Sequence, residues 1–265
     1  MKARLEDIEV YYDLEGISGA PVVMCSHSLA ANRELWMRQL PDLSRQYQVL
    51  RYDIRGHGQS SAPEEPYSME QLAEDAVKLL DRLEIPAVHF MGLSLGGMIG
   101  QILAAEHPQR VKGLVLCDTA CRVDPELKPV WEERIQTARS QGMDALVQPT
   151  LERWLSHEFR RHEPEVTSQV EKMIRETPVA GFAGCCRAIS EFDALPRLAK
   201  IEAPTLVLVG EDDPGTPVSE AETIAQHISG AELSVLKGAR HLSNIEAYKE
   251  FNERVLSFLQ GISQA

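Results

Sequence analysis

The sequence predicts an α/β fold with a mostly parallel central sheet, flanking helices and one inserted helical segment. Three observations predict it. Short apolar runs alternate with stretches of helical periodicity along most of the chain. A glycine-rich turn, Gly92-Leu93-Ser94-Leu95-Gly96-Gly97, joins one such run to a helical stretch. Between about Arg122 and Pro196 the strand-like runs stop, and they resume at Thr205.

The elements follow in chain order. Ile8–Tyr12 reads as an early strand, and Val22–Cys25 and Val49–Tyr52 as short apolar strands. Over Ser68–Leu83, Leu72, Ala76, Leu79, Leu80 and Leu83 share one helical face, and the charges lie mostly opposite. Ser68 with Gln71 three residues on resembles a capping box. Ala87–Met91 is the next strand, Met98–Glu106 a helix stopped near Pro108, and Gly113–Cys117 a further strand. Apolar runs of this length, bounded by Gly, Pro or Asp, suit strands covered on both faces.

The stretch from Arg122 to Pro196 is rich in Arg, Glu, Trp and Gln at helical spacing, and Pro125, Pro149, Pro164 and Pro178 divide it into about four helices. Strands at Thr205–Val209 and Leu233–Leu236, with helices at Val218–Ile228 and Ala247–Leu259, complete the pattern. These last strands need the first sheet as a partner, which excludes a separate C-terminal domain. The expected organisation is a core over 1–121, a helical cap over 122–196 and the rest of the core over 197–265.

Composition excludes several classes of function. The 265 residues carry 27 Lys plus Arg against 40 Asp plus Glu, a formal charge of −13. Nucleic acid and anionic membrane both call for a basic footprint, so neither is an expected partner. With 43% apolar and 25% charged residues the chain can bury enough surface to fold. No apolar run approaches the ~20 residues of a spanning helix. No apolar stretch follows the basic residues near Met1, so a cytoplasmic protein without a signal peptide is expected. The five cysteines are odd in number and read as buried free thiols; Cys117 and Cys121 lack a second pair of soft ligands for zinc.

The chemistry begins at Ser94. Strand, sharp turn and helix hold a serine in a strained backbone state, and a Cβ at Gly92 or Gly96 would collide with its neighbours. A serine hydroxyl needs a base to take its proton. His241, in the loop after the last strand, is the expected base; His57, at another strand end, is the rival. The base needs an acid to hold its tautomer. Gly210-Glu211-Asp212-Asp213-Pro214 follows a strand directly, and Asp213 is preferred over Asp212. The resulting order is Ser94, Asp213, His241. The tetrahedral intermediate needs oxyanion donors. The N–H of Leu95 is one, and the turn Cys25–Leu29 offers the N–H of Leu29 or, second, of Ser28.

Together Ser26–Leu29, Arg51–Ser60, the Ser94 turn, Gly210–Asp213 and Gly238–Leu242 resemble the α/β-hydrolases from end to end. More narrowly, Leu116–Ala120, Gly181–Ile189 and His241–Glu246 resemble the 3-oxoadipate enol-lactonases of the β-ketoadipate pathway, a branch of aromatic catabolism. The turn Ser26–Ala31 departs from the family's usual pattern in holding no glycine. The resemblance implies an ester hydrolase that opens a carboxylate-bearing enol-lactone to 3-oxoadipate through an acyl-enzyme on Ser94, with no cofactor and no metal. An anionic substrate calls for local cations. The cap offers Arg134, Arg153 and Arg187, interleaved with Trp131 and Trp154 as apolar walls. A general carboxylesterase or another lactonase would use the same triad, and a hydrolase fold acting as a ligand receptor is the non-enzymatic alternative. Composition and motifs do not fix an oligomeric state.

Overall fold

The computed structural model describes residues 1–64 and 66–264, with the backbone alone at 263 and 264; Ala265, the last residue of the expected second core stretch, lies outside it. In chain order the elements are β1 (Lys2–Arg4), β2 (Glu9–Gly16), β3 (Val22–Ser26), α1 (Leu40–Leu43), β4 (Gln48–Tyr52), α2 (Met69–Arg82), β5 (Val88–Leu93), α3 (Leu95–Glu106) and β6 (Val111–Cys117). They continue with α4 (Lys128–Gln141), α5 (Asp144–Trp154), α6 (His157–His162), α7 (Pro164–Glu176), α8 (Val179–Ser190), β7 (Thr205–Gly210), α9 (Val218–His227), β8 (Glu232–Leu236), α10 (Ser243–Glu246) and α11 (Tyr248–Gln264).

The eight strands form one sheet in the order β1-β2-β4-β3-β5-β6-β7-β8. β1, β2 and β4 pair antiparallel, and every pairing from β4 through β3 to β8 is parallel. Every residue of β5 and β7 is buried, as continuous apolar runs covered on both faces require. β8 has one neighbour and is more open, with Leu233 exposed. Because β3, β5, β6, β7 and β8 run the same way, the loops after all five open at one edge of the sheet. Ser94, Asp118, Asp213 and His241 all follow strands there.

α2 begins where its cap predicts: Ser68 Oγ accepts from the Gln71 N–H at 3.1 Å. α3 begins at Leu95, three residues ahead of the sequence expectation. Gly96 and Gly97 are weak helix formers, and close packing over the sheet overrides that preference. β1 is an added short edge strand. Between β6 and β7 the described chain contains helices and one isolated bridge, Arg122 with Asp193. There are five α-helices where about four were expected: α5 runs through Pro149, forgoing one backbone bond, while the chain breaks at Gly142 and again at Leu155–Ser156, where no proline stands. The neck of this segment is pinned where Val123 N–H donates to Phe192 O (2.9 Å) and Ala194 N–H to Cys121 O (2.8 Å). No helix among the described residues is long and apolar enough to cross a membrane.

Candidate active site

Ser94 links β5 to α3 with φ +53° and ψ −111°. A non-glycine residue in this state stores about 1–3 kcal/mol and persists only where its surroundings over-determine it. Here they do. Ser94 N–H donates to Cys117 O (2.9 Å), and Ser94 O accepts from Thr119 Oγ1 (2.8 Å) and Met98 N (3.0 Å). A Cβ at Gly92 would run into the backbone of Gly96, and one at Gly96 into the carbonyl of Ser26. The glycines therefore set how closely the turn packs on β3.

Asp213 follows β7 and His241 follows β8, and the two strands are neighbours. His241 Nδ1 lies 2.8 Å from Asp213 Oδ2. Asp213 Oδ1 accepts from the N–H groups of Gly215 (2.7 Å) and Thr216 (3.1 Å), and Oδ2 from Thr216 Oγ1 (2.6 Å). Burial opposes the charge on Asp213, and the His241 ring and these donors outweigh it, so the carboxyl lies below its ordinary range. Burial likewise opposes a charged His241, and Asp213 outweighs it, so the imidazole lies above its ordinary value. With Nδ1–H committed to Asp213, Nε2 is the basic nitrogen. Asp212 is exposed beside its buried neighbour.

His57, the rival base, is committed elsewhere. Its Nε2 accepts from Ala30 N–H (3.0 Å), and its Nδ1 lies 3.2 Å from Arg55 O. His27 has the same arrangement: Nε2 accepts from Ile54 N–H (2.9 Å) and Nδ1 faces Ser28 O at 2.8 Å. Each ring is thus a neutral Nδ1–H tautomer bridging two backbone groups. Burial pushes His27 down to about 4 and His57 to about 3. The pair braces the turn after β3 against the turn after β4. That bracing does the work of the missing glycine: Ala30 holds φ +58° in this turn with its N–H on His57.

Ser28, Leu29, Ser94 and His241 all line one cavity of about 440 Å³. The N–H of Leu95 belongs to the first turn of α3, where backbone donors lack intrahelical partners, and the next N–H, of Gly96, is taken by His27 O (3.1 Å). Trp131, Arg134 and Trp154 also line the cavity, as does Arg153. Trp154 stacks on His241 with ring centres 6.3 Å apart, and Arg134 lies over Trp131 (4.8 Å) and Phe182 (5.5 Å). Neither Arg134 nor Arg153 has a carboxylate at ion-pair distance among the described residues. Burial lowers Arg134 to about 10, which leaves it charged at neutral pH, and it lowers Arg153 against the pulls of Cys186 and Asp213.

Arg187 corrects an expectation. It lines a separate groove with Tyr67 and Glu191, and its Nη2 lies 3.9 Å from Glu132 Oε2. Two residues on, Ile189 lines the Ser94 cavity, because neighbouring positions on α8 face different ways. Two further residues take no role from the sequence, although Asp118 lies within the Leu116–Ala120 motif. Thr216 clamps Asp213. Asp118, fully buried after β6 at φ +43°, accepts from Gly210 N–H (2.8 Å) and meets Ser243 Oγ at 2.5 Å. Burial, and then the charge of Asp213, push the Asp118 carboxyl up to about 8.

A family model described as the alpha/beta hydrolase fold matches residues 21–248. The chain belongs to the α/β-hydrolase family. Among curated relatives, 3-oxoadipate enol-lactonase 2 of Acinetobacter baylyi is 35% identical over 250 residues, covering 94% of this chain and 92% of that one. Among solved structures, the enol-lactonase from Burkholderia xenovorans LB400 superposes with a TM-score of 0.95 at 38% identity, covering 98% of this hydrolase and all of that chain. A thermophilic esterase from Thermogutta terrifontis, solved with malate bound, gives 0.90 at 29% identity over 96% and 94% of the two chains.

Proposed function

We propose that this hydrolase opens a carboxylate-bearing enol-lactone, 3-oxoadipate enol-lactone in the first instance, through an acyl-enzyme on Ser94. The observation that carries the substrate class is the pair Arg134 and Arg153. Both line the cavity of Ser94 and His241, and neither has an ion-pair partner among the described residues. Desolvating a guanidinium without a counter-charge is costly, and a bound carboxylate would remove that cost. The similarity to an enol-lactonase over nearly the whole chain supports the same reading.

In this reading Nε2 of His241 takes the Ser94 proton as Oγ attacks the lactone carbonyl. Asp213 holds the imidazolium that forms. The N–H groups of Leu95 and Leu29 receive the oxyanion, and one such donor is worth about 3 kcal/mol. Collapse breaks the ring C–O bond and expels an enolate, which is a better leaving group than an alkoxide. The enolate takes the proton that His241 holds, becoming the ketone and returning the imidazole to its neutral form. A water that gives its proton to His241 then cleaves the acyl-serine, and Ser94 regains its proton. The reading takes the enzyme as cytoplasmic, in keeping with five buried cysteines that are all free.

The test compares kcat/KM for the enol-lactone acid and its methyl ester, with Ser94→Ala alongside. A preference for the acid of about tenfold or more, abolished turnover in the variant included, supports the reading. A preference for the ester would make the enzyme a general carboxylesterase. Turnover in neither protein would leave a ligand receptor.

A further inference from the structure

His241 is held by the segment between β6 and β7 on both of its sides. The residue after it, Leu242, donates its N–H to Trp154 O at 3.1 Å. The residue before it, Arg240, donates its N–H to Glu246 Oε2 at 2.6 Å. The other oxygen of the same carboxylate, Oε1, accepts the N–H of Ser156 at 2.8 Å. Arg240 also reaches back with Nη1 to Glu152 O. Glu246 ends α10, five residues after His241; Ser156 lies two residues beyond the end of α5. One carboxylate therefore ties the loop of the base to the helix end that carries Arg153 and Trp154. Trp154 stacks on the His241 ring, and Arg153 is one of three arginines lining the cavity, with Arg134 and the exposed Arg122.

Both donors are backbone N–H groups, and a carboxylate accepts from both at charge-assisted strength. A carboxamide of the same shape cannot: one of its two ends is a donor and would face an N–H. We propose that Glu246 is a positioning residue that locks the imidazole of His241 to the cation-bearing end of α5, so that the base and the substrate's carboxylate are held on one rigid unit. The proposal rests on His241 being the base. Its consequence lies in kcat: a displacement of about 1 Å in a reacting group costs on the order of 100-fold in rate.

The backbone at Ser156 offers an independent way to break the same link. Ser156 has φ −61°, and Leu155 before it has φ −130° and ψ 137°, both compatible with proline at 156. Ser156→Pro deletes the N–H that Glu246 accepts. It also deletes the helix cap that Ser156 Oγ gives Phe159 N–H (3.1 Å), so Ser156→Ala, which loses the cap and keeps the N–H, is its control.

The experiment measures kcat and KM on the enol-lactone acid for the wild type, Glu246→Gln, Ser156→Pro, Ser156→Ala and Ser94→Ala, well below each melting temperature and per folded enzyme by circular dichroism. Expected are losses in kcat of about tenfold or more for Glu246→Gln and for Ser156→Pro, KM changed by less than about threefold, and Ser156→Ala within about twofold of wild type. The proposal is overturned if Glu246→Gln keeps wild-type kcat, if Ser156→Pro matches Ser156→Ala, or if the loss vanishes on cooling as a stability defect would. Should Glu246→Gln not fold, the two Ser156 variants decide. Persistent turnover in Ser94→Ala overturns the serine mechanism itself and is thereby told apart from failure of the Glu246 link.

Discussion

Asp212 and Asp213 are adjacent in the chain and opposite in environment. Asp213 is buried with three donors and the His241 ring on its oxygens, whereas Asp212 is exposed. Asp213→Asn is expected to lower kcat by about 10⁴-fold, since a carboxamide can hold the wrong imidazole tautomer. Asp212→Asn should change it by less than about twofold, as a solvated surface site would. The pH profile gives a second readout. In the proposed mechanism the neutral imidazole is the active base, and Asp213 raises its pKa against the effect of burial. The acid limb of kcat/KM should therefore have its midpoint above the ordinary imidazole value of 6.5, and it should move down in Asp213→Asn as residual activity is followed with pH. An acid limb that stays in place would deny Asp213 this role. At this scale the sequence is most readable where a candidate residue follows a strand inside a punctuated motif, as Ser94 and Asp213 do. Asp118 also ends a strand and lies in the Leu116–Ala120 motif, yet nothing in that motif assigns it a role. Thr216 is three residues past Asp213 in a turn of ordinary composition. The role of Asp118 depends on contacts with the end of β7 and with α10 that no local window contains.

Between elements, the decisive contacts are the two histidine bridges. His27 ties the turn after β3 to Ile54, and His57 ties the turn after β4 to Ala30. Both rings are neutral in the fold, at about 4 and about 3 against an ordinary 6.5. The unfolded chain takes up these protons as pH falls through about 6.5, and the folded chain does not until about 4 and about 3. Their contribution to stability is thus present above 6.5 and is lost as pH falls from there toward 4. His57→Phe should cost about 1–3 kcal/mol at pH 7 by orphaning Ala30 N–H. It should also flatten the decline of the urea midpoint between pH 6.5 and 4. A decline as steep as the wild type's would remove His57 as its source. The core strands were legible because buried parallel strands are written as continuous apolar runs. The start of α3 was not, because its glycines serve close packing on β3 and read locally as helix breakers. β1, three residues long at the sheet edge, is too short to leave a pattern.

Over the whole molecule, a formal charge of −13 opposes the approach of the proposed anionic substrate, and Arg134 and Arg153, two of the three arginines lining the cavity, favour its capture. The two effects differ in range and in screening. Exposed charges are largely screened beyond about 10 Å at 0.1 M salt, while buried ones are screened much less. Raising ionic strength from about 10 mM to 150 mM should therefore increase kcat/KM for the lactone acid by about two- to threefold through weaker long-range repulsion, and leave its methyl ester unchanged. Arg134→Met removes the inner charge and keeps an apolar stem against Trp131 and Phe182. Its expected effect is a loss of about 10- to 100-fold in kcat/KM for the acid, carried by KM, with the ester altered by less than about threefold. Arg187→Met, altered in the separate groove, is the control that should leave the acid within about twofold. If Arg134→Met weakens acid and ester equally, Arg134 acts through packing on Trp131 and the cavity selects no carboxylate there. If the acid alone suffers and the salt response persists, capture and repulsion act independently, the inner cations overcoming at short range the field that the rest of the surface imposes.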